Sequence, residues 1–83
     1  MKTLLKISAS WCVSCKTLTN LFKDIDFTGI EVINIDADSD ASAVKQYNVR
    51  GIPALILLDE TGEEIKRKIG IITKDDLLQF LKD

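Results

Sequence analysis

Apolar and polar positions alternate along the first stretch of the chain. Lys2 to Ala9 places Leu5 and Ile7 on one side and Leu4 on the other, the two-residue period of a strand. The period then lengthens. Leu18, Leu21, Phe22 and Ile25 fall at helical spacing, which predicts a helix from Cys12 to about Ile25. Gly29 ends the connection. From Ile30 to Asp36, Ile or Val stands at 30, 32, 33 and 35, which predicts a largely buried strand. Asp38, Ser39 and Asp40 supply helix-start chemistry for a second helix running to about Tyr47. Ala54 to Leu58 is a short apolar strand. Asp59-Glu60-Thr61-Gly62 reads as a hairpin turn, and Glu63 to Ile69 as the returning strand. Thr73 can cap a last helix, with Asp76 as its capping-box partner and Leu77, Leu78 and Leu81 on its apolar side.

The expected order is therefore β-α-β-α-β-β-α, an α/β chain with a four-stranded mixed sheet flanked by helices. The first two strands, joined by a helix, should be parallel, and the last two should form an antiparallel hairpin. The first strand, apolar on both faces, should lie centrally. No repeat or linker interrupts the 83 residues, so residues 1–83 are expected to form one domain.

Composition narrows the chemistry. Eleven Lys and Arg stand against thirteen Asp and Glu, a formal charge of −2, so no basic excess points to nucleic acid. The chain has no histidine, which removes Ser–His and Cys–His catalysis and histidine metal sites. The longest apolar run, Ile52 to Leu58, contains Pro53 and is too short to span a membrane. A charge interrupts Met1 to Lys6, so that stretch does not read as a signal peptide, and a cytoplasmic monomer is expected.

The only cysteines are Cys12 and Cys15, in Trp11-Cys12-Val13-Ser14-Cys15, where the first strand gives way to the first helix. Residues at this spacing are neighbours on a helix, and one turn brings their Cα atoms within bridging range. The pair can therefore cycle between dithiol and disulfide, and no bound cofactor is expected. The helix N-terminus favours an anion, and Lys16 adds positive charge, so Cys12 is expected to be the exposed, nucleophilic thiol and Cys15 the protected, resolving one.

Other readings are weaker. Structural zinc takes four ligands, and two cysteines would meet that only across a dimer; no metal is expected. A structural disulfide closing so short a loop removes little unfolded-state entropy. Asp36-Ala37-Asp38-Ser39-Asp40 fails the calcium-loop template, with Ala41 where Gly is needed and Tyr47 where the bidentate Glu should be. Ahead of the third strand, Val49-Arg50-Gly51-Ile52-Pro53 holds the only proline. It reads either as an ordinary turn before a strand or as a cis Ile52–Pro53 bond that turns the Ile52 backbone toward the cysteines for pairing with an extended peptide.

These motifs together resemble the thioredoxin family: Ser10-Trp11-Cys12-x-x-Cys15-Lys16, Val32-Ile33-Asn34-Ile35-Asp36, Val49-Arg50-Gly51-Ile52-Pro53-Ala54-Leu55, Gly62-Glu63 and Gly70. The resemblance implies a thiol–disulfide oxidoreductase that reduces protein disulfides. It assigns Cys12 as nucleophile, Cys15 as resolving thiol and Pro53 as the cis-proline, with a substrate groove from Trp11, Ile52, Pro53 and Gly70. It implies disulfide-containing protein substrates and an electron donor such as a flavin-dependent thioredoxin reductase or glutathione. A glutaredoxin-like enzyme using glutathione is the alternative, opposed by Trp11 before Cys12 and by the single Gly70 where glutaredoxins usually have a pair. A docking module using the Trp11–Pro53 surface, with incidental cysteines, is a third reading.

The chain departs from the family in three ways. The family's extra N-terminal strand and helix are absent. Val13-Ser14 replaces the usual Gly-Pro between the cysteines. Lys6 stands where the family has a buried acid. With the N-terminal elements missing, one sheet face should be thinly covered. Lys6 is therefore expected to be solvated and charged, promoting the active-site thiolate through space rather than acting as a desolvated base.

Overall fold

A computed structural model describes residues 1–82; Asp83, the last residue of the expected domain, lies outside them. The elements run β1 (Lys2–Ser8), α1 (Val13–Phe22), β2 (Ile30–Asp36), α2 (Ala41–Gln46), β3 (Ala54–Leu58), β4 (Glu64–Ile69) and α3 (Lys74–Leu81). The strands form one sheet in the order β2-β1-β3-β4. β1 pairs parallel with β2 and antiparallel with β3, and β3 pairs antiparallel with β4. The expected order, pairing and central place of β1 are all present.

Alternation along β1 and β3 divides the core in two. Leu4, Leu55 and Leu57 face Leu18 of α1 and Leu77 and Phe80 of α3. Leu5, Ile7, Ala54, Ile56 and Leu58 face the other way, toward Val44 and Tyr47 at α2. Fully burying one such side chain stabilises the fold by about 1.5–3 kcal/mol, so these central strands carry much of the driving force.

The end of α1 and the start of β4 move inward for local reasons, while the start of α2 falls where expected. α1 stops at Phe22, three residues before the expected end. The Lys23 and Asp24 N–H groups tighten onto Asn20 and Leu21 carbonyls, and Ile25, still buried, bonds Phe22 in the following turn. α2 starts after Asp40, one of the residues expected to open it, whose carboxylate accepts the Ala43 N–H at 3.2 Å. β4 starts at Glu64, because Glu63 closes the turn by accepting the Asp59 N–H at 2.8 Å. Thr73 caps α3 by accepting the Asp76 N–H at 3.1 Å, the Thr73 half of the expected capping box.

At β2 the expected burial fails. No residue of β2 is fully buried, and Ile33 is 40% exposed. β2 is an edge strand, and the six-residue α2 covers its far face only around Ile35.

Candidate functional site

β1 delivers the chain to the site. After Ser8, the Cys12 N–H bonds the Ala9 carbonyl at 3.2 Å, and this turn seats Cys12 as the N-cap of α1. Its backbone is extended and its sulfur accepts the Cys15 N–H at 3.1 Å. A thiol thus occupies the place usually held by Ser, Thr or Asp, and satisfies a helix donor that would otherwise lack a partner. Cys15 sits one turn in. Both are free cysteines and pack with Ala9 and Ile52.

The expectation of an exposed Cys12 is corrected here. Cys12 is 6% and Cys15 2% exposed. The order is as expected, but the capping geometry folds the Cys12 sulfur back over the helix end, under Ile52. Burial, foremost, and a side-chain hydrogen bond with Cys12 push the Cys15 thiol above its ordinary value. A backbone hydrogen bond from Ala9 and the Lys6 charge pull it partway down.

The surrounding surface comes from three loops. Trp11 is 66% exposed, and its indole N–H donates to the Asp38 carboxylate at 2.7 Å, which ties the β1–α1 turn to the β2–α2 turn. The Ile52–Pro53 bond is cis, as the sharper sequence reading expected. Pro53 is buried and its carbonyl accepts the Gly70 N–H at 2.8 Å. Gly70 has φ +93°, and a Cβ placed there would meet nothing within 4 Å. Its contribution to the surface is therefore shape rather than a donor, since its N–H is already used. Among the described residues, the Ile52 N–H and C=O make no backbone hydrogen bond. Val13, Ile69 and Ile71 are exposed around the same end of the sheet. Trp11, Ile52, Pro53 and Gly70 are therefore placed around the cysteines, while Lys16 lies on the exposed side of α1.

Lys6 contradicts its expectation. It is 5% exposed, the one buried charged residue among those described. α1 covers its face of β1: Nζ donates to Thr19 Oγ1 and lies 5.2 Å from the Phe22 ring centre. Burial pushes its ammonium below the ordinary lysine value, and the nearby Cys15 sulfur pulls it partway back. The cover comes from α1, whose Thr19 and Phe22 close over this face of β1, so the face is not thinly covered at Lys6.

Sequence reasoning missed two contacts. Trp11–Asp38 spans 27 residues, and nothing local signals it. Arg67, held by Glu64 at 2.6 Å, donates to the Tyr47 carbonyl at 2.8 Å and so closes the C-terminal end of α2, next to the segment leading to Pro53. Nothing local signals this contact either, because the strand and the helix end that it joins lie 20 residues apart. Asp36 and Asp40 serve as turn and cap acceptors, and Asp38 accepts the Trp11 indole N–H. Among the described residues, no group of three or more His, Cys, Asp or Glu could hold a metal, and no helix is long and apolar enough to cross a membrane.

Comparison with known proteins matches this geometry. The thioredoxin family model covers residues 1–83. The chain is 32% identical to a thioredoxin of Chlamydia trachomatis serovar D, over 94% of this chain and 78% of that protein. It is 30% identical to a thioredoxin of Rickettsia conorii, over 98% of this chain and 79% of that one. A single-site mutant of a thioredoxin from Halobacterium salinarum superposes with a TM-score of 0.88 at 28% identity, over 98% of this chain and 72% of that one. With the sheet order, the capping cysteine and the cis-proline already in place, these matches establish that the chain belongs to the thioredoxin family and is a thiol–disulfide oxidoreductase that reduces protein disulfides.

Proposed function

We propose that residues 1–83 work as one domain in which Cys12 attacks and Cys15 resolves. The Cys12 thiolate attacks one sulfur of a substrate disulfide, forming a Cys12–substrate disulfide and expelling the other substrate sulfur as thiolate, which takes a proton from water. Cys15 then loses its proton and attacks the Cys12 sulfur. The mixed disulfide breaks, the Cys12–Cys15 disulfide forms, and the departing substrate sulfur is protonated. The protein is oxidised by two electrons and the substrate reduced by two. The reverse path, driven by an external dithiol, restores the starting form.

The observation that carries this reading is the Cys15 N–H bonded to the Cys12 sulfur at the start of α1. It aims a helix N-terminal donor at the sulfur that must bear charge. The substrate would lie extended against Trp11, Ile52, Pro53 and Gly70, pairing with the unengaged Ile52 backbone groups. Lys16, exposed on α1, would add positive potential at this end. The electron donor is taken to be a flavin-dependent thioredoxin reductase rather than glutathione, because Trp11 precedes Cys12 and a single Gly70 stands in the β4–α3 loop.

The experiment is turnover of a disulfide-bonded protein with either donor. Reduction supported by the flavin-dependent reductase, weak with glutathione and abolished by Cys12→Ser, is the expected result. Equal or faster turnover with glutathione would overturn the donor assignment, and full activity in Cys12→Ser the role of that thiol.

A further inference from the structure

A buried lysine needs a reason. Lys6 sits on the helix-covered face of β1, and its ammonium has lost most of its water. The one ion pair among the described residues is Arg67–Glu64, so no carboxylate compensates Lys6. Its neighbours are a hydroxyl and an aromatic ring, from Thr19 and Phe22. The Thr19 hydroxyl accepts from Lys6 and donates to the Cys15 carbonyl at 3.0 Å, so it fastens the lysine to the turn of α1 that carries Cys15.

No other charge fills the role of partner. Across the β1–β2 ladder Lys6 faces Asn34, and Asp36 farther along that strand is exposed and accepts the Asp38 and Ser39 N–H groups. Across the β1–β3 ladder it faces Leu55. Lys68, beyond Leu55 on β4, is exposed, as are Lys16 and Lys23 at α1 and Lys74, Asp75 and Asp76 at α3. The group beside the ammonium that can become an anion is the Cys15 thiol.

We infer that Lys6 is a positioning residue for the resolving step, its buried ammonium serving as counter-charge to the Cys15 thiolate and Thr19 holding it in place. The inference rests on the roles given above to Cys12 and Cys15. In the mixed disulfide, the Cys15 S–H must ionise in a site whose burial opposes charge. With Lys6 beside it, the anion forms as half of an ion pair instead of alone. Cys15 then attacks Cys12, the Cys12–substrate bond breaks, and the proton lost by Cys15 is made up on the departing sulfur, through water. Lys6 keeps its own proton throughout. Its effect falls on the second thiol, where burial makes ionisation hardest.

The test uses dithiobis(nitrobenzoate) as a substrate whose two halves leave in separate coloured phases. The first reports attack by Cys12 and the second resolution by Cys15. Both are followed by stopped flow across pH for the wild type, Lys6→Met, Thr19→Val and Cys15→Ser. Lys6→Met should raise the pH midpoint of the second phase by about one unit, slowing it about tenfold at neutral pH, and leave the first phase in place. Thr19→Val, which keeps the lysine but frees it, should move the second midpoint the same way by less, and it decides the matter if Lys6→Met does not fold. A second midpoint that stays fixed or falls, or a first phase that shifts equally, overturns the inference. A second phase persisting in Cys15→Ser would instead overturn the reading of Cys15 as resolving thiol, and the inference with it.

Discussion

On the α2 side of the sheet, Leu5, Ile7, Ala54, Ile56 and Leu58 make a layer with no polar side chain. On the α1 and α3 side, the same central strand presents Leu4 and then Lys6, a buried charge within a core otherwise built of Leu, Ile and Phe. Both sides are closed by helices. Stability alone would favour an aliphatic residue at both, because an ammonium taken from water without a carboxylate is a net cost. The side that departs from this rule is the one that touches Cys15. The α2 side is thus read as support, and the α1 side as support modified for chemistry.

Removing the support gives the largest expected effect. Ile56 is fully buried in the aliphatic layer, and Ile56→Ala should cost about 2–5 kcal/mol. Urea unfolding should show a lower midpoint, while reductase turnover per folded molecule holds. A loss under about 1 kcal/mol would mean that this side does not carry the fold.

The second prediction reverses the sign on the other side. Lys6→Met should stabilise the protein by about 1–3 kcal/mol at neutral pH, even as it slows resolution. The folded-state pKa of Lys6 lies below its ordinary value. The unfolded chain therefore binds the proton more readily, and the cost of burying the charged form is fully present below the folded pKa. It is relieved as pH rises toward the unfolded value, so the advantage of Lys6→Met should shrink on going alkaline. Urea unfolding of both proteins at neutral and alkaline pH measures it. A destabilised Lys6→Met, or a gain that grows with pH, would show that the ammonium is well compensated.

These two sides also separate what could be read from the chain and what could not. Ile56 and its neighbours announce themselves, because a run of five apolar residues before a turn leaves little choice but a buried strand. Cys12 and Cys15 are legible for the same kind of reason: the change of period at residue 12 marks a helix start, and a helix start defines the environment of whatever stands there. Lys6 gives the opposite lesson. Its facing is set by alternation, but its burial depends on where α1 lies across the sheet, a tertiary fact. β2 fails likewise, since its apolar pattern is that of an interior strand and its edge position is not a local property. The Trp11–Asp38 bond and the Arg67 closure of α2 join segments distant along the chain, with no periodicity to signal them.

A smaller effect belongs to the ends of the helices that close the α1 side. Thr73→Ala removes the α3 cap and should cost about 1 kcal/mol, without changing the pH profile of resolution. Thermal unfolding gives the first quantity and stopped flow the second. A changed profile would mean that α3, and not Lys6 alone, sets the environment of Cys15.

The division of labour between the two sulfurs is tested most directly by trapping. Cys15→Ser and Cys12→Ser are each incubated with a disulfide-bonded protein and analysed by non-reducing gel and peptide mass spectrometry. The account predicts a stable adduct in Cys15→Ser, joined through Cys12, and none in Cys12→Ser. An adduct through Cys15 in Cys12→Ser, formed as readily, would contradict it.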